Sequence, residues 1–290
     1  MKPAPFEYHR AGSVEEAVQL LADYEGMARV LAGGQSLVPM LHMRLMRPAV
    51  IIDINRIPGL DQMAATGAGT RLGALVRYSA IEHSPVIGER LPLLKSATRH
   101  IGDRQVRNRG TIGGSLSQAD PTGEMPLASL ALNATVHAVS VRGTRRIPVV
   151  EFLRGSYETS LEFDELVTEV VFPPAPQVCM LSEVTRKHND FAVLGVAATG
   201  SPLSSGSWSG IRLALSGVAE HAVLVPRASA LLEGAELAED EIAAAADACQ
   251  EVIDPPDDVR ASADYRRHLV GVHVRRVLRR MRDERGTLNA

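Results

Sequence analysis

The fold of this chain is decided by the stretch Arg107-Asn-Arg-Gly-Thr-Ile-Gly-Gly-Ser-Leu-Ser-Gln-Ala-Asp-Pro-Thr-Gly-Glu124. Gly113 and Gly114 lack Cβ atoms, so we expect a loop that adopts unusual backbone angles and brings its N–H groups against a ligand. Thr111 and Ser115 add hydroxyl donors, and two arginines in the stretch add guanidinium groups that pair well with phosphate oxygens. The pattern favours a phosphate-binding loop, although a glycine turn between packed elements would look the same.

A second stretch of the same kind lies upstream, at Leu31-Ala-Gly-Gly-Gln-Ser-Leu-Val-Pro39, directly after the apolar run 29–32. Again a Gly-Gly pair is followed closely by a serine. A pyrophosphate needs several converging N–H donors, and a single loop supplies only a few. Two such loops therefore predict a dinucleotide as the ligand.

Both stretches resemble those of the FAD-binding medium subunits of molybdenum hydroxylases, the family of carbon monoxide dehydrogenase medium chains and of the flavin domain of xanthine dehydrogenase. The resemblance rests on 32–39 with Met43-Arg-Leu45, and on 106–116 with Ala119-Asp-Pro121. It implies an α+β protein with a two-part FAD-binding domain of the vanillyl-alcohol oxidase (PCMH) type. A smaller α+β domain, made of an antiparallel sheet plus helices, would follow.

The resemblance also implies a set of FAD-binding residues. Two loops would hold the cofactor, with Ile101 and Val167 as apolar contacts and Glu124 where the family usually has an aspartate that hydrogen-bonds the sugar chain. The implied cofactor-binding residues are Leu31, Ala32, Gly33, Gly34, Gln35, Ser36, Leu37, Val38, Ile101, Thr111, Ile112, Gly113, Gly114, Ser115, Glu124 and Val167.

Two positions depart from the pattern of the family. Gln35 stands where many carbon monoxide dehydrogenase medium chains have histidine, and Glu183 stands where several relatives have a lysine near the flavin. Exchanging a cation for a carboxylate near the cofactor would alter its potential or its choice of acceptor. Both departures weaken a specific assignment to carbon monoxide chemistry.

Composition excludes several other classes of protein. The chain has 290 residues, enough for about two domains. Its 31 basic and 34 acidic residues give a net charge of −3, which argues against binding to nucleic acid or to a membrane surface. No stretch approaches the roughly 20 apolar residues of a membrane span, and residues 1–6 contain no signal-peptide core. We expect a cytoplasmic protein.

Only two cysteines occur, Cys179 and Cys249, and neither belongs to a CxxC motif. An iron-sulfur cluster normally needs four thiolates, so this chain cannot ligate one by itself. No site residue is expected to bind a metal. The resemblance implies that molybdenum-pterin and [2Fe-2S] centres belong to a large and a small partner subunit, in a dimer of heterotrimers.

Hydrophobic periodicity and capping patterns predict the order of elements. Capping boxes at 13–16 and 79–82 start helices, and Gly143-Thr144 forms the turn of a hairpin. Residues 173–176, Pro-Pro-Ala-Pro, divide a FAD-binding domain (1–176, with subdomains of about 1–60 and 61–176) from a C-terminal domain (177–290). The remaining predicted elements are strands at 29–32, 49–54, 71–76, 166–172, 180–185 and 211–218, helices at 37–45, 91–101, 124–132, 239–252 and 261–282, and a polar loop at 199–210.

Three features of the sequence allow more than one interpretation. Asp120 could cap the helix that begins near Glu124, or could contact the ligand. The arginines of the last helix, between Arg275 and Arg282, could form a solvated face or a docking surface for an acidic partner. His42, His100 and His188 are isolated in the sequence, which is typical of surface or core histidines more often than of ligands.

The resemblance thus implies a flavoprotein subunit that passes electrons from [2Fe-2S] clusters of a partner, through FAD, to NAD, oxygen or a quinone. No acid, base or nucleophile of this chain is needed for hydroxylation. An alternative is a free-standing FAD-dependent oxidase of the vanillyl-alcohol oxidase type. The C-terminal part of this chain is small for the substrate-binding domain of such an enzyme. A scaffold without redox function is a third hypothesis.

Overall fold

The computed structural model describes residues 1–187 and 189–288. His188 lies outside the described residues. The chain begins with a small parallel sheet in the order β1-β3-β2, covered on one face by helix α1. Its elements are β1 (Glu7–Arg10), α1 (Val14–Asp23), β2 (Ala28–Leu31), α2 (Leu37–His42) and β3 (Val50–Asp53).

Helix α1 forms because its apolar residues Ala17, Val18 and Leu21 recur on one face and are buried against the sheet. The Ser13 hydroxyl accepts a hydrogen bond from the Glu16 N–H, at 3.1 Å. The capping box predicted here is only half correct, since the Glu16 carboxylate accepts from the Gly12 N–H and not from Ser13.

The second unit is a five-stranded antiparallel sheet in the order β4-β5-β10-β6-β7, packed against a layer of short helices. Its strands are β4 (Met63–Thr66), β5 (Gly69–Gly73), β6 (Thr135–Ser140), β7 (Gly143–Pro148) and β10 (Leu166–Phe172), with the small hairpin β8 (Leu153–Gly155) and β9 (Glu158–Thr159). Its helices are α3 (Tyr78–His83), α4 (Pro85–Arg90), α5 (Pro92–His100), α6 (Arg104–Arg109), α7 (Ile112–Gln118), α8 (Glu124–Ala131) and α9 (Val149–Phe152).

The third unit is a four-stranded antiparallel sheet in the order β11-β12-β13-β14, backed by three helices. Its elements are β11 (Val178–Val184), β12 (Leu194–Pro202), β13 (Trp208–Ser216), β14 (Val223–Leu224), α10 (Pro226–Leu232), α11 (Glu239–Val252) and α12 (Ala263–Leu288). Ala197 and Ala214 belong to the core of the second unit, so this sheet is buried on both faces. The predicted α+β architecture is confirmed.

Strand β12 was not predicted from the sequence. The polar loop predicted at 199–210 is wrong at both ends, because residues 199–202 belong to β12 and residues 208–210 belong to β13. Residues 194–199 are all buried, so this strand shows no alternation of apolar and polar residues. Thr199 is buried, and its hydroxyl donates to the Ala131 carbonyl oxygen at 3.2 Å. Trp208, placed in the loop by its glycine and serine neighbours, is fully buried and begins β13.

Two further predictions were wrong in detail. Ser79 lies within α3, which begins at Tyr78 after Arg77, so it does not cap the helix. Ser140 pairs with Gly143 in the β6–β7 hairpin, which places the turn at residues 141–142, two residues before the predicted one. Among the helices that the structure describes, none is both long and apolar enough to cross a membrane.

Candidate cofactor site

A cavity of about 790 Å³ lies where the small parallel sheet, the helix layer and the β11–β12 turn meet. Both glycine stretches lie on its walls. Apolar side chains such as Ile54, Ile101 and Leu166 supply part of the lining, and carboxylates such as Asp120 and Glu124 supply another part. Binding pockets typically measure about 300–1,000 Å³, so this cavity is large enough for a dinucleotide.

The first glycine segment (residues 31–38) connects β2 to α2. Gly34 has φ +76°, a left-handed conformation that favours glycine. Gly33 has an ordinary φ but leaves no room for a Cβ, which would crowd the Gly110 Cα at 3.0 Å. The Asn55 side-chain amide donates to the Leu31 and Ala32 carbonyl oxygens, at 3.2 and 2.8 Å, and fixes the start of the segment.

The second glycine segment (residues 107–124) is not the loop that the sequence predicted. Gly113 and Gly114 lie in the first turn of α7, and the Thr111 hydroxyl accepts from the Gly114 N–H at 3.1 Å. A Cβ on Gly113 would lie 2.5 Å from the Ala74 Cβ, so this glycine serves the packing of α7 on β5 and its continuation. A threonine cap stabilises a helix here because its oxygen satisfies an otherwise unpaired N–H group.

Arg77 ties the two glycine segments together. Its guanidinium donates to the Arg109 carbonyl oxygen and to the Asn55 side-chain oxygen. Since Asn55 also donates to Ala32, a continuous set of hydrogen bonds joins residues 32 and 109. Burial, together with the nearby Arg109 charge, lowers the pKa of Arg77.

Most of the predicted cofactor-binding residues line this cavity, and three do not. Leu31 and Val38 face a separate groove behind the first glycine segment, and Ile112 is fully buried in the core. Strand and helix geometry turns these side chains away, so their predicted roles can involve only the backbone. The predicted residues that line the cavity are Ala32, Gly33, Gly34, Gln35, Ser36, Leu37, Ile101, Thr111, Gly113, Gly114, Ser115, Glu124 and Val167.

The sequence did not single out Tyr78, Gly110 or Tyr157, all of which line the cavity. Tyr78 is buried, its pKa is raised by burial, and its ring packs where a Cβ on Gly110 would lie. Tyr157 adopts φ +60° and its side chain interacts with Asp120. No local pattern marks these residues, because their contacts are with distant parts of the chain.

The structure excludes one of the two interpretations of Asp120, that of a helix cap. Its carboxylate accepts from the Thr122 N–H and hydroxyl, at 2.9 and 2.8 Å, and Gly123 is the N-cap of α8. Asp120 therefore closes a turn and does not cap the helix at Glu124. It also lines the cavity, which agrees with the alternative of a ligand contact.

Two buried carboxyl groups have raised pKa values, and one of them, Glu124, lines the cavity. Burial raises the pKa of Glu124 to about 7. Burial and the charge of Glu124 raise the pKa of Glu183 to about 8, and a Glu183 carboxylate oxygen lies 3.8 Å from His100 Nδ1. Such shifts are typical of groups that lack solvent and have a like charge nearby. Burial therefore favours the neutral form of both carboxyl groups.

Three of the arginines near the end of α12 form ion pairs within the chain. Arg275 contacts Asp247 at 2.6 Å, and Arg279 and Arg282 contact Glu239 at 2.7 and 3.0 Å. Both carboxylates belong to the neighbouring helix α11. This pairing favours the interpretation of a solvated face over that of a docking surface.

Three observations show that these residues fit FAD. The glycine segments face each other, since a Cβ on Gly114 would approach Ala32 at 3.8 Å and would enter the space between them. The cavity is long enough to touch both segments and the β11–β12 turn. Its walls combine backbone N–H groups, which suit a pyrophosphate, with apolar surfaces, which suit flat rings.

Comparison with known proteins gives the family. Residues 4–175 match the model of the FAD-binding domain in molybdopterin dehydrogenase, and residues 180–281 match that of the carbon monoxide dehydrogenase flavoprotein C-terminal domain. The chain is 40% identical over 280 residues to the 6-hydroxypseudooxynicotine dehydrogenase complex subunit alpha of Paenarthrobacter nicotinovorans, covering 96% of this chain and 95% of that one.

Carbon monoxide dehydrogenase from Hydrogenophaga pseudoflava is similar in both sequence and structure. Its medium chain is 38% identical over 280 residues, covering 96% of this chain and 97% of that one. A solved structure of that enzyme, lacking the Mo-pyranopterin moiety of the molybdenum cofactor, contains a chain that superposes with a TM-score of 0.94 over 97% of this chain and 98% of its own. The chain described here therefore belongs to the family of FAD-binding medium subunits of molybdenum hydroxylases.

Proposed function

We propose that this subunit carries electrons from [2Fe-2S] clusters of a small partner subunit, through FAD, to an external acceptor such as NAD, oxygen or a quinone. The single observation that carries the proposal is the cavity between the two glycine segments. The substrate would be hydroxylated in a large molybdenum-pterin subunit. Since this chain has only two cysteines, the clusters belong to another polypeptide.

The residues of this chain would bind and orient FAD, which supplies two-electron redox chemistry when bound. The backbone N–H groups of Gly33 to Ser36 would hold the pyrophosphate. Those of Gly114 and Ser115 already bond to Thr111, so these two residues would only lie beside it. Ile101 and Val167 would give apolar contacts, and Glu124 would bind the sugar chain. Support comes from the positions of these residues on the cavity wall.

The assembly and location are part of the proposal. We propose a dimer of heterotrimers, with one medium, one large and one small subunit in each half, in the cytoplasm. The subunit names printed for relatives, such as the medium chain of carbon monoxide dehydrogenase, support the heterotrimer. The Pro173–Pro176 segment would separate a FAD-binding domain from a C-terminal domain, and the limits of the two family models support this division.

An absorption spectrum tests the proposal directly. The chain is incubated with FAD and desalted, its visible spectrum is recorded, and the released cofactor is identified by chromatography. We expect about one FAD per chain. The same measurement on the complex co-expressed with its partner subunits serves as the reference, and a colourless complex would overturn the proposal.

A further inference from the structure

A second cavity, a groove of about 180 Å³, lies behind the first glycine segment on the outer face of the β1-β3-β2 sheet. Its lining is almost entirely apolar. The groove residues are Pro3, Phe6, Tyr8, Leu31, Val38, Leu41, His42 and Ile51. None of the cavity-facing positions of the glycine segments contributes to it, so it is distinct from the cofactor cavity.

Exposed apolar side chains belong to the groove and to the chain segment that follows its lining residue His42. Tyr8 is 47% exposed and Phe6 is 36% exposed, and in the segment that follows α2 the exposed fractions are 56% for Met43 and 71% for Leu45. Scattered exposed apolar residues are normal, but a contiguous group around an apolar groove marks an interaction surface. An apolar side chain that filled such a groove would remove apolar surface from water, which is favourable.

The rim of the groove is basic. Lys2, Arg44 and Arg47 are exposed, and none of these side chains forms an ion pair within the part of the chain that the structure describes. The Arg44 Nε–H donates to the Lys2 carbonyl oxygen at 3.3 Å, which joins the N-terminal segment to the end of α2. Lys2 precedes the lining residue Pro3 in the chain, and Arg44 and Arg47 follow the lining residue His42 within five residues. Cations next to an apolar groove are complementary to an apolar anchor flanked by carboxylates.

The groove also forms the back of the first glycine segment. A Cβ on Gly34 would lie 3.2 Å from the Leu31 Cδ1 and 3.2 Å from the Val38 Cγ2. The same two side chains line the groove. An occupant would therefore pack against side chains that support the backbone of Gly34.

We propose that this groove docks an acidic segment of a partner subunit, which inserts an apolar side chain beside Phe6 and Val38 and places carboxylates near Lys2, Arg44 and Arg47. The inference rests on the multisubunit complex of the proposed function. Its occupant is a different chain of that complex and not a second copy of this one.

Site-specific cross-linking in the assembled complex tests which chain occupies the groove. A photoreactive benzoylphenylalanine replaces Phe6 or Leu45, and Val141, which is 51% exposed on the β6–β7 turn, serves as the control position. We expect cross-links from positions 6 and 45 to a segment of another subunit that contains aspartate or glutamate next to an apolar residue. Cross-links to a second copy of this chain, or none above the control, would overturn the proposal.

Charge reversal tests the basic rim. We expect the double variant Arg44→Glu/Arg47→Glu to reduce the fraction of chain recovered in the complex roughly tenfold at low salt, with a smaller effect at high salt because the ions screen the rim. Arg146→Glu is the matched control, since Arg146 is exposed on β7 and forms no ion pair in the described residues. Recovery equal to that of this control would contradict the proposal.

Different measurements test the proposed function and the docking groove. The wild-type complex reports on the proposed function through its subunit composition and its FAD content. The rim variants report on the groove alone, because the rim residues do not line the cofactor cavity. A wild-type complex that contains FAD, combined with normal assembly of the rim variants, would remove the docking site and leave the proposed function intact.

Discussion

The backbone of Arg109 lies directly against Gly33, so the two glycine segments touch each other as well as the cavity. A Cβ built on Gly33 would lie only 2.9 Å from the Arg109 carbonyl carbon. Gly33 is thus needed for the approach of two backbones. The site can form only when the parallel sheet and the helix layer are correctly packed.

The first prediction concerns that contact. Replacing Gly33 by alanine should displace residues 109–110, lower the free energy of unfolding by about 1–3 kcal/mol and weaken FAD binding at least about tenfold. Urea unfolding and the FAD retained after desalting measure the two effects. Gly67→Ala is the matched control, because a Cβ there meets nothing within 4 Å. Equal behaviour of the two variants would refute the packing role of Gly33.

The second prediction distinguishes the role of Thr111 as a helix cap from the role of Gly114 in leaving space for the ligand. A Gly114→Val side chain would start 2.8 Å from the Thr111 hydroxyl and extend toward Ala32, so we expect loss of bound FAD. Thr111→Val removes the cap and should cost about 1 kcal/mol of stability. Since Thr111 also lines the cavity, we expect some loss of FAD, smaller than in Gly114→Val. Flavin content and thermal unfolding of both variants provide the comparison. Stoichiometric flavin in Gly114→Val would count heavily against the assignment of this segment.

The third prediction concerns pH. The pKa values of Glu124 and Glu183 in the folded chain, about 7 and about 8, lie above the ordinary value of 4.5. Between these limits the folded state binds more protons than the unfolded state, so the free energy of unfolding falls as pH rises. The stabilising effect of the neutral carboxyl groups is complete below about pH 4.5 and is lost as pH passes through about 7 to 8.

Denaturation of the FAD-free chain at several pH values measures this dependence. We expect a decrease on the order of 6 kcal/mol between about pH 5 and pH 9 from these two groups. The variant Glu183→Gln removes one ionisable group whose pKa is raised, so its stability should depend less on pH. A Glu183→Gln curve parallel to that of the wild type would contradict the raised pKa of Glu183.

The fourth prediction concerns Arg266, which is only 1% exposed. It donates to the carbonyl oxygens of Val193 and Gly217 and contacts Asp258 at 2.8 Å. Arg266→Met leaves these groups without their partner, and we expect a loss of about 3–5 kcal/mol in the free energy of unfolding. Arg267→Met, at a partly exposed neighbouring position, should change it by less than about 1 kcal/mol. Similar unfolding midpoints for the two variants would contradict the role of Arg266.

Local patterns in the sequence identified much of this protein. The glycine pairs at 33–34 and 113–114 are recognisable because a Gly-Gly-x-Ser or Gly-Gly-Ser pattern is contained within a few residues. Strand β10 and helix α11 were predicted with the bounds that the structure has, Leu166–Phe172 and Glu239–Val252. Their signals, an apolar run and an alanine-rich periodic segment, are also local.

Only the tertiary structure decided how these pieces are used. Gly113 packs against Ala74, Gly33 packs against Arg109, and Tyr78 fills the space beside Gly110, and each contact joins residues that are distant in sequence. Leu31 and Val38 belong to the predicted loop but line the groove behind it. Sequence periodicity reports which residues avoid water, whereas the partner of each residue depends on how separate elements pack, and that packing is determined by the whole chain.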